Sequence, residues 1–154
     1  MKKLMTLIAA ICVMTAFGIQ PGNAQSKKKS AAEWKKILTP NQYEIMVEKG
    51  TEAPYHNAYW DNHEKGVYVS AATGEVLFTS DDKFDSHTGW PSFVKPVDPS
   101  KIQVVQDNSL GMTRDEVVEK STGLHLGHVF DDGPADRGGK RYCMNSGALK
   151  FIKK

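Results

Sequence analysis

The chain has 154 residues, of which a quarter are charged and 40% apolar, with a formal net charge of +2. That supplies one domain around a single core, is too short for several, and carries no basic excess of the kind that holds a polyanion. Two cysteines in all exclude a disulfide-rich scaffold.

Met1-Lys2-Lys3, the apolar run Leu4 to Phe17 and the small residues Gly22 and Ala24 have the form of a secretory signal cleaved between Ala24 and Gln25. The run is short for a membrane span, which takes about 20 apolar residues. Ile11 stands before Cys12 where a lipoprotein site wants a small residue. Cleavage removes two lysines and no acid, so eighteen bases meet eighteen acids in the remaining 130 residues. Without Lys27-Lys28-Lys29 the folded part is slightly acidic, which argues against a nucleic-acid partner. The expected organisation is a signal over 1–24, a flexible lead-in over 25–32 and one domain over 33–154. The protein is expected outside the cytoplasm, in a periplasmic or similar compartment.

Ser30 and Glu33 have capping-box spacing and open a short helix through Trp34, Ile37 and Leu38. Thr39, Pro40 and Gln42 open a second helix, striped by Tyr43, Met46 and Val47 and ended by Gly50. From residue 66 the pattern changes to β-type runs: Val67 to Ser70, Glu75 to Thr79, Ile102 to Gln106, Leu110 to Lys120, Leu124 to Phe130, Arg141 to Ser146 and Leu149 to Ile152. Ala72-Thr73-Gly74 and Ser121-Thr122-Gly123 read as tight connections. The fold class is therefore mainly β and antiparallel, with short helices at the N-terminal end.

Three segments hold more polar and aromatic groups than packing requires: Asp85 to Phe93, His125 to Pro134, and Arg141-Tyr142-Cys143-Met144-Asn145-Ser146. Gly89, Trp90 and Pro91 together suit either a fixed aromatic wall or an indole capping a core. His125 and His128 would leave opposite faces of an ideal strand, and a bulge at Gly127 would bring them to one site. A metal site, acid/base work and a structural role compete for this pair; no helical spacing or nearby cysteine supports the metal. Once the signal is removed, Cys143 is the only thiol. Alternation along a strand puts Arg141, Cys143 and Asn145 on one face, with Tyr142 and Met144 turned to the core. A nearby arginine favours the thiolate, the nucleophilic form.

Gly89-Trp90-Pro91-Ser92-Phe93, His125 to Pro134 and Arg141 to Ser146 together resemble methionine sulfoxide reductase B. Leu38-Thr39-Pro40-Asn41-Gln42-Tyr43, Lys49-Gly50-Thr51-Glu52 and Tyr59-Trp60-Asp61 extend the resemblance from about Leu38 to Phe151. It implies two antiparallel β-sheets with N-terminal helices and reduction of methionine-R-sulfoxide. By the same resemblance Cys143 attacks sulfur, His128 is the acid, and His125 and Asn145 orient and polarise the oxygen. Trp90 would hold the S-methyl group. Phe130, Arg141 and Asp132 match substrate-side positions, the last two as charges that balance each other.

Many relatives hold zinc with two Cys-x-x-Cys pairs, at positions that here read Ser70, Thr73, Glu119 and Thr122, so no zinc is expected. Thr88 stands where many relatives place a resolving cysteine. An internal disulfide is then excluded, and an external thiol, a thioredoxin-like protein or a small molecule, must reduce the Cys143 sulfenic acid. A monomer is expected. Two other classes fit parts of the pattern: a non-catalytic module that binds oxidised methionine, and a Cys-His hydrolase, which leaves the Gly-Trp-Pro loop unexplained.

Overall fold

The structure is a computed structural model that describes residues 29–154. The expected signal sequence, with Cys12, and the lead-in up to Lys28 lie outside the described residues. The first described element is helix α1 (Ala31–Ile37), which starts slightly before the expected domain boundary at 33. Its capping box is complete, with Ser30 accepting from the Glu33 amide and the Glu33 carboxylate accepting from the Ser30 amide. Helix α2 (Pro40–Met46) repeats the device with Thr39 and Gln42, and its buried residues are Ile45 and Met46. It stops earlier than Gly50 because Lys49 takes a left-handed conformation, φ 60°.

Nine strands follow: β1 (Gly66–Ser70), β2 (Val76–Thr79), β3 (Lys83–Phe84), β4 (Ser92–Phe93), β5 (Ile102–Asp107), β6 (Arg114–Glu119), β7 (His125–Phe130), β8 (Arg141–Met144) and β9 (Leu149–Lys153). They form two sheets, one of three strands in the order β2-β1-β9 and one of six in the order β3-β4-β8-β7-β6-β5. Every pairing is antiparallel. The expected fold class is therefore observed, two sheets included. The two-residue strands β3 and β4 are too short to leave a period in the sequence. Strand β6 begins at Arg114 rather than Leu110 because Leu110 and Gly111 are both left-handed (φ 56° and 70°) and make a turn. Strand β8 stops at Met144, and a 3-10 turn over Ser146–Ala148 leads into β9.

The core lies where the sheets and helices meet: Tyr68, Leu77 and Phe78 of the small sheet, Phe93, Val117, Leu126 and Met144 of the large one, and Trp34, Ile45 and Met46 of the helices. Phe78 stacks on Phe93 with centroids 4.5 Å apart, and Tyr68 meets Phe93 edge-on at 5.0 Å. Each fully buried side chain of this size contributes about 1.5–3 kcal/mol.

The expected bulge is present. Val117 pairs with Gly127 and Val118 with His125, which leaves Leu126 as the extra residue on β7. Gly127 permits the arrangement, since a Cβ there would sit 2.1 Å from the Cys143 carbonyl oxygen and 2.9 Å from Met144 Cα. Both obstacles are backbone. Gly127→Ala should therefore push β8 off β7 and destabilise the domain by about 2–3 kcal/mol, measured as a drop in urea midpoint; an unchanged midpoint would show that the strands can separate freely.

Candidate active site

Strand β8 is central in the large sheet, with β4 on one side and β7 on the other. Cys143 pairs with Ser92 across β4 and with His128 across β7. Directly opposed residues of antiparallel strands share a face, so Ser92, Cys143 and His128 form a row, extended by Glu116, which pairs with His128 from β6. Because Leu126 is bulged out, His125 joins the same face, its ring centroid 5.3 Å from that of His128.

The row opens on a cavity of about 120 Å³ lined by Thr51, Trp90, Arg114, Gly127, His128, Phe130, Cys143, Met144 and Asn145. Trp90, Phe130 and Met144 give it apolar walls. The indole is held by its N–H, which donates to the Glu52 carbonyl at 3.0 Å. Its loop is held too, since the Gly89 carbonyl accepts from the Tyr55 amide and from Asn57 Nδ2 at 2.7 Å. The aromatic-wall reading of Gly89-Trp90-Pro91 is the one observed.

The two histidines have different partners. His128 Nε2 lies 2.9 Å from Asp107 Oδ2, which also accepts from Arg114 Nη2 at 2.7 Å. The bond from His128, with that from the Ser109 amide, holds the Asp107 carboxyl well below the usual range. With Nε2 engaged by Asp107, Nδ1 is the ring nitrogen left to exchange a proton. His125 is buried and does not line the cavity. Its Nδ1 meets Glu116 Oε1 at 2.8 Å, and Lys49 Nζ donates to the other oxygen at 2.8 Å. Burial lowers the His125 pKa despite Glu116, so this ring is neutral, with Nε2 accepting from Asn145 Nδ2 at 3.4 Å.

Asn145 is fully engaged. Nδ2 also donates to the Leu126 carbonyl at 3.3 Å, and Oδ1 accepts from the Glu52 amide at 3.3 Å. It lines the cavity, and His125 stands behind it, outside the lining. Arg141 and Asp132, placed by sequence on the substrate side, lie outside the cavity walls. They form a bidentate pair at 2.8 Å, and the Arg141 guanidinium stacks on Phe130 at 4.5 Å. They line a separate hollow with Phe84, Ser86 and Thr88.

Burial pushes the Cys143 thiol up, and Arg141, with the hydroxyls of Thr88 and Ser92, offsets this only in part. The expected thiolate is therefore not the resting form; desolvation outweighs the arginine. Asp107, Glu116, Arg114 and Lys49 escape a reading by sequence because the first two meet the histidines, and the last two meet those carboxylates, only through tertiary pairing. The one signal for Glu116 and Arg114 is charge within an otherwise β-type run.

A SelR domain family model matches residues 38–153. The chain belongs to this family. It is also 52% identical over 124 residues, covering 80% of this chain and 87% of the relative, to the peptide methionine sulfoxide reductase MsrB of Methanosarcina barkeri. The expected membership of the methionine sulfoxide reductase B family is thereby shown.

At the positions where many members of this family hold zinc, the Glu119 carboxylate is buried, one oxygen accepting from Thr73 Oγ1 and the other from Thr122 Oγ1 at 2.7 Å. Ser70 Oγ accepts from the Ala72 and Thr73 amides. One carboxylate already bonded through both oxygens, with three hydroxyls, does not fit a tetrahedral zinc, which takes thiolate or imidazole donors.

The thiol's environment sets a measurable pH dependence. Alkylation of Cys143 by iodoacetamide should rise with pH through a midpoint above the ordinary thiol value of about 8.5, and Arg141→Gln should move that midpoint higher still. A midpoint below neutrality would contradict the balance of burial and charge described here.

Proposed function

We propose that the protein reduces methionine-R-sulfoxide in exported proteins, with Cys143 as nucleophile and His128 as general acid. The observation that supports this best is the cross-strand pairing of Cys143 with His128 at an apolar-walled cavity, the histidine being held on its far side by Asp107. Sulfoxide sulfur is a poor electrophile until its oxygen is protonated. A chemistry of thiol against acid needs the two groups at the two atoms of one sulfoxide, and the strand register supports that reading. Family membership and the reductase name of the relative point the same way.

As substrate enters, the Cys143 proton is released and Sγ bonds to the sulfoxide sulfur while His128 protonates the oxygen. The hydroxyl then passes to Sγ: the sulfoxide S–O bond and the new Sγ–S bond break, an Sγ–O bond forms, and methionine leaves. Methionine gains the two electrons that Cys143 loses, and Cys143 becomes a sulfenic acid. With Thr88 beside the sulfur and no second thiol among the described residues, an external thiol condenses with the sulfenic acid to give a mixed disulfide and water. A second thiol then regenerates Cys143. A thioredoxin-like protein or a small thiol fits this role. Trp90 and Phe130 would select the R epimer by receiving the S-methyl group on one side of the cavity.

Incubation with each epimer of a methionine sulfoxide peptide and dithiothreitol should show loss of the R epimer alone. Without reductant, one methionine should form per enzyme, with one oxygen gained on Cys143. Cys143→Ser should be inactive; equal activity would end the nucleophile assignment, peptide cleavage would favour a hydrolase, and binding without turnover would favour a recognition module. Catalysis should also be independent of zinc. Dialysis against a strong chelator should leave both kcat and Tm unchanged, and a fall in either would show that the Glu119 cluster holds a metal after all.

A further inference from the structure

Cys143 stands between two neighbours on its face of the large sheet, His128 of β7 on one side and Ser92 of β4 on the other. The cavity with Trp90 takes in the β7 side, through Gly127, His128 and Phe130. The β4 side is not closed either. A hollow of about 330 Å³ opens there, where Asp85, Ser86 and Thr88 of the loop between β3 and β4 meet Asp132, Pro134 and Arg141. Two of these residues, Thr88 and Arg141, lie beside Sγ together with Ser92, and all three favour its anion. Ser86 joins the hydroxyls, its Oγ 2.8 Å from Thr88 Oγ1 and 2.7 Å from Ser92 Oγ. A polar row therefore runs from the hollow to the sulfur. Attack on the sulfoxide gives Asp85 and Ser86 no part.

The second half of the reaction has a direction. Displacement at a divalent sulfur runs in line, so the incoming nucleophile arrives opposite the group that departs. In the Cys143 sulfenic acid the departing oxygen is the one that His128 protonated, on the β7 side. The line of attack then comes from the β4 side, through the hollow.

We infer that this hollow is the subsite for the external thiol, and that it takes a small thiol without negative charge. The inference rests on the proposed reductase activity and deepens it by giving the reductant a place and a class. The volume is at the small end of small-molecule sites, and the hydroxyl lining suits a hydrophilic guest. Two carboxylates, Asp85 and Asp132, stand in its walls against one guanidinium, that of Arg141, which Asp132 already pairs through both oxygens. Asp85 forms no ion pair with a lysine or arginine among the described residues; the His87 amide and ring are its partners, and Lys83 donates to the Trp60 carbonyl instead. Such a rim repels a thiol that carries a carboxylate and admits an uncharged or cationic one.

The thiol gives its proton to solvent and its sulfur bonds to Sγ as the Sγ–O bond breaks. The leaving hydroxide takes up a proton on the His128 side and departs as water. A second molecule of the same thiol attacks the mixed disulfide, releasing a small disulfide and returning its proton to Cys143. Cys143 thereby regains the two electrons it gave to the sulfoxide, and the two thiols lose them.

Enzyme oxidised with one equivalent of N-acetyl-methionine-R-sulfoxide, then mixed with 2-mercaptoethanol, cysteamine or 3-mercaptopropionate, yields a rate constant for each thiol, read as loss of dimedone-reactive Cys143. Asp85→Asn keeps the acceptor for the His87 amide and removes the charge. It should leave the single turnover to methionine unchanged, raise the rate constant for anionic 3-mercaptopropionate about threefold to fivefold, lower that for cationic cysteamine by a similar factor, and leave 2-mercaptoethanol as it was. Asp98→Asn, before β5 at the opposite edge of the large sheet, should alter none of the three. The subsite would be overturned by no effect of Asp85→Asn, by one change common to all three thiols, or by an equal effect of Asp98→Asn. Wild-type sulfenic enzyme reduced by a protein dithiol and by none of the small thiols would overturn it too. Wild-type enzyme that forms no methionine in the first step would instead remove the reductase activity itself.

Discussion

The arrangement of the site depends on one extra residue in strand β7. Leu126 has no partner in β6, and its insertion turns His125 onto the face that already carries His128. Its carbonyl, on the β8 side, accepts from both the amide and the side chain of Asn145, which fixes the chain where it leaves β8. Gly127, next to it, lets β8 approach closely enough for Cys143 to stand opposite His128. Without the bulge the strand would present one histidine to the cavity side and the other to the core.

Two imidazoles on one face would repel each other if both were charged, and the structure separates their roles by environment. His125 is deep, where burial outweighs the Glu116 carboxylate and the ring stays neutral. Burial works against the charge of Glu116 as well, but Lys49 and His125 together keep its pKa below the usual value. His128 sits at the cavity with an ionised Asp107 behind it. One ring can therefore accept from Asn145 as a fixed prop and leave its neighbour as the imidazole at the cavity, an arrangement that suits the acid role proposed for His128.

Local pattern carried the sequence reading a long way. Capping boxes placed both helices, and alternation placed Cys143 against a polar face with Met144 in the core. Glycine in a strand between two histidines pointed to the bulge. The rest depended on pairings between distant strands. Asp107, Glu116 and Lys49 belong to the site only because β5, β6 and the segment after α2 fold across β7, and nothing local distinguishes them from surface charges. Glu52 is the clearest case: its carbonyl holds Trp90, its amide holds Asn145, and its carboxylate accepts from the Ser146 and Gly147 amides. Arg141 shows the reverse error. Its charge beside Cys143 is as expected, but sequence cannot weigh that charge against the burial of the thiol.

That balance bears on how a solitary cysteine works. A surface thiolate would react with any disulfide or oxidant it met, and with no second thiol among the described residues each encounter would trap it. Burial holds Cys143 as the less reactive thiol, while Arg141, Thr88 and Ser92 stand ready to stabilise the anion once it forms. In the proposed reaction a sulfoxide in the cavity would supply what the resting site lacks, an oxygen that takes up a proton as the sulfur is attacked. Nucleophilicity would then be coupled to occupancy, because the charge that burial disfavours would exist only while bond formation consumes it. The same geometry that slows the free thiol would make reaction with the bound sulfoxide selective.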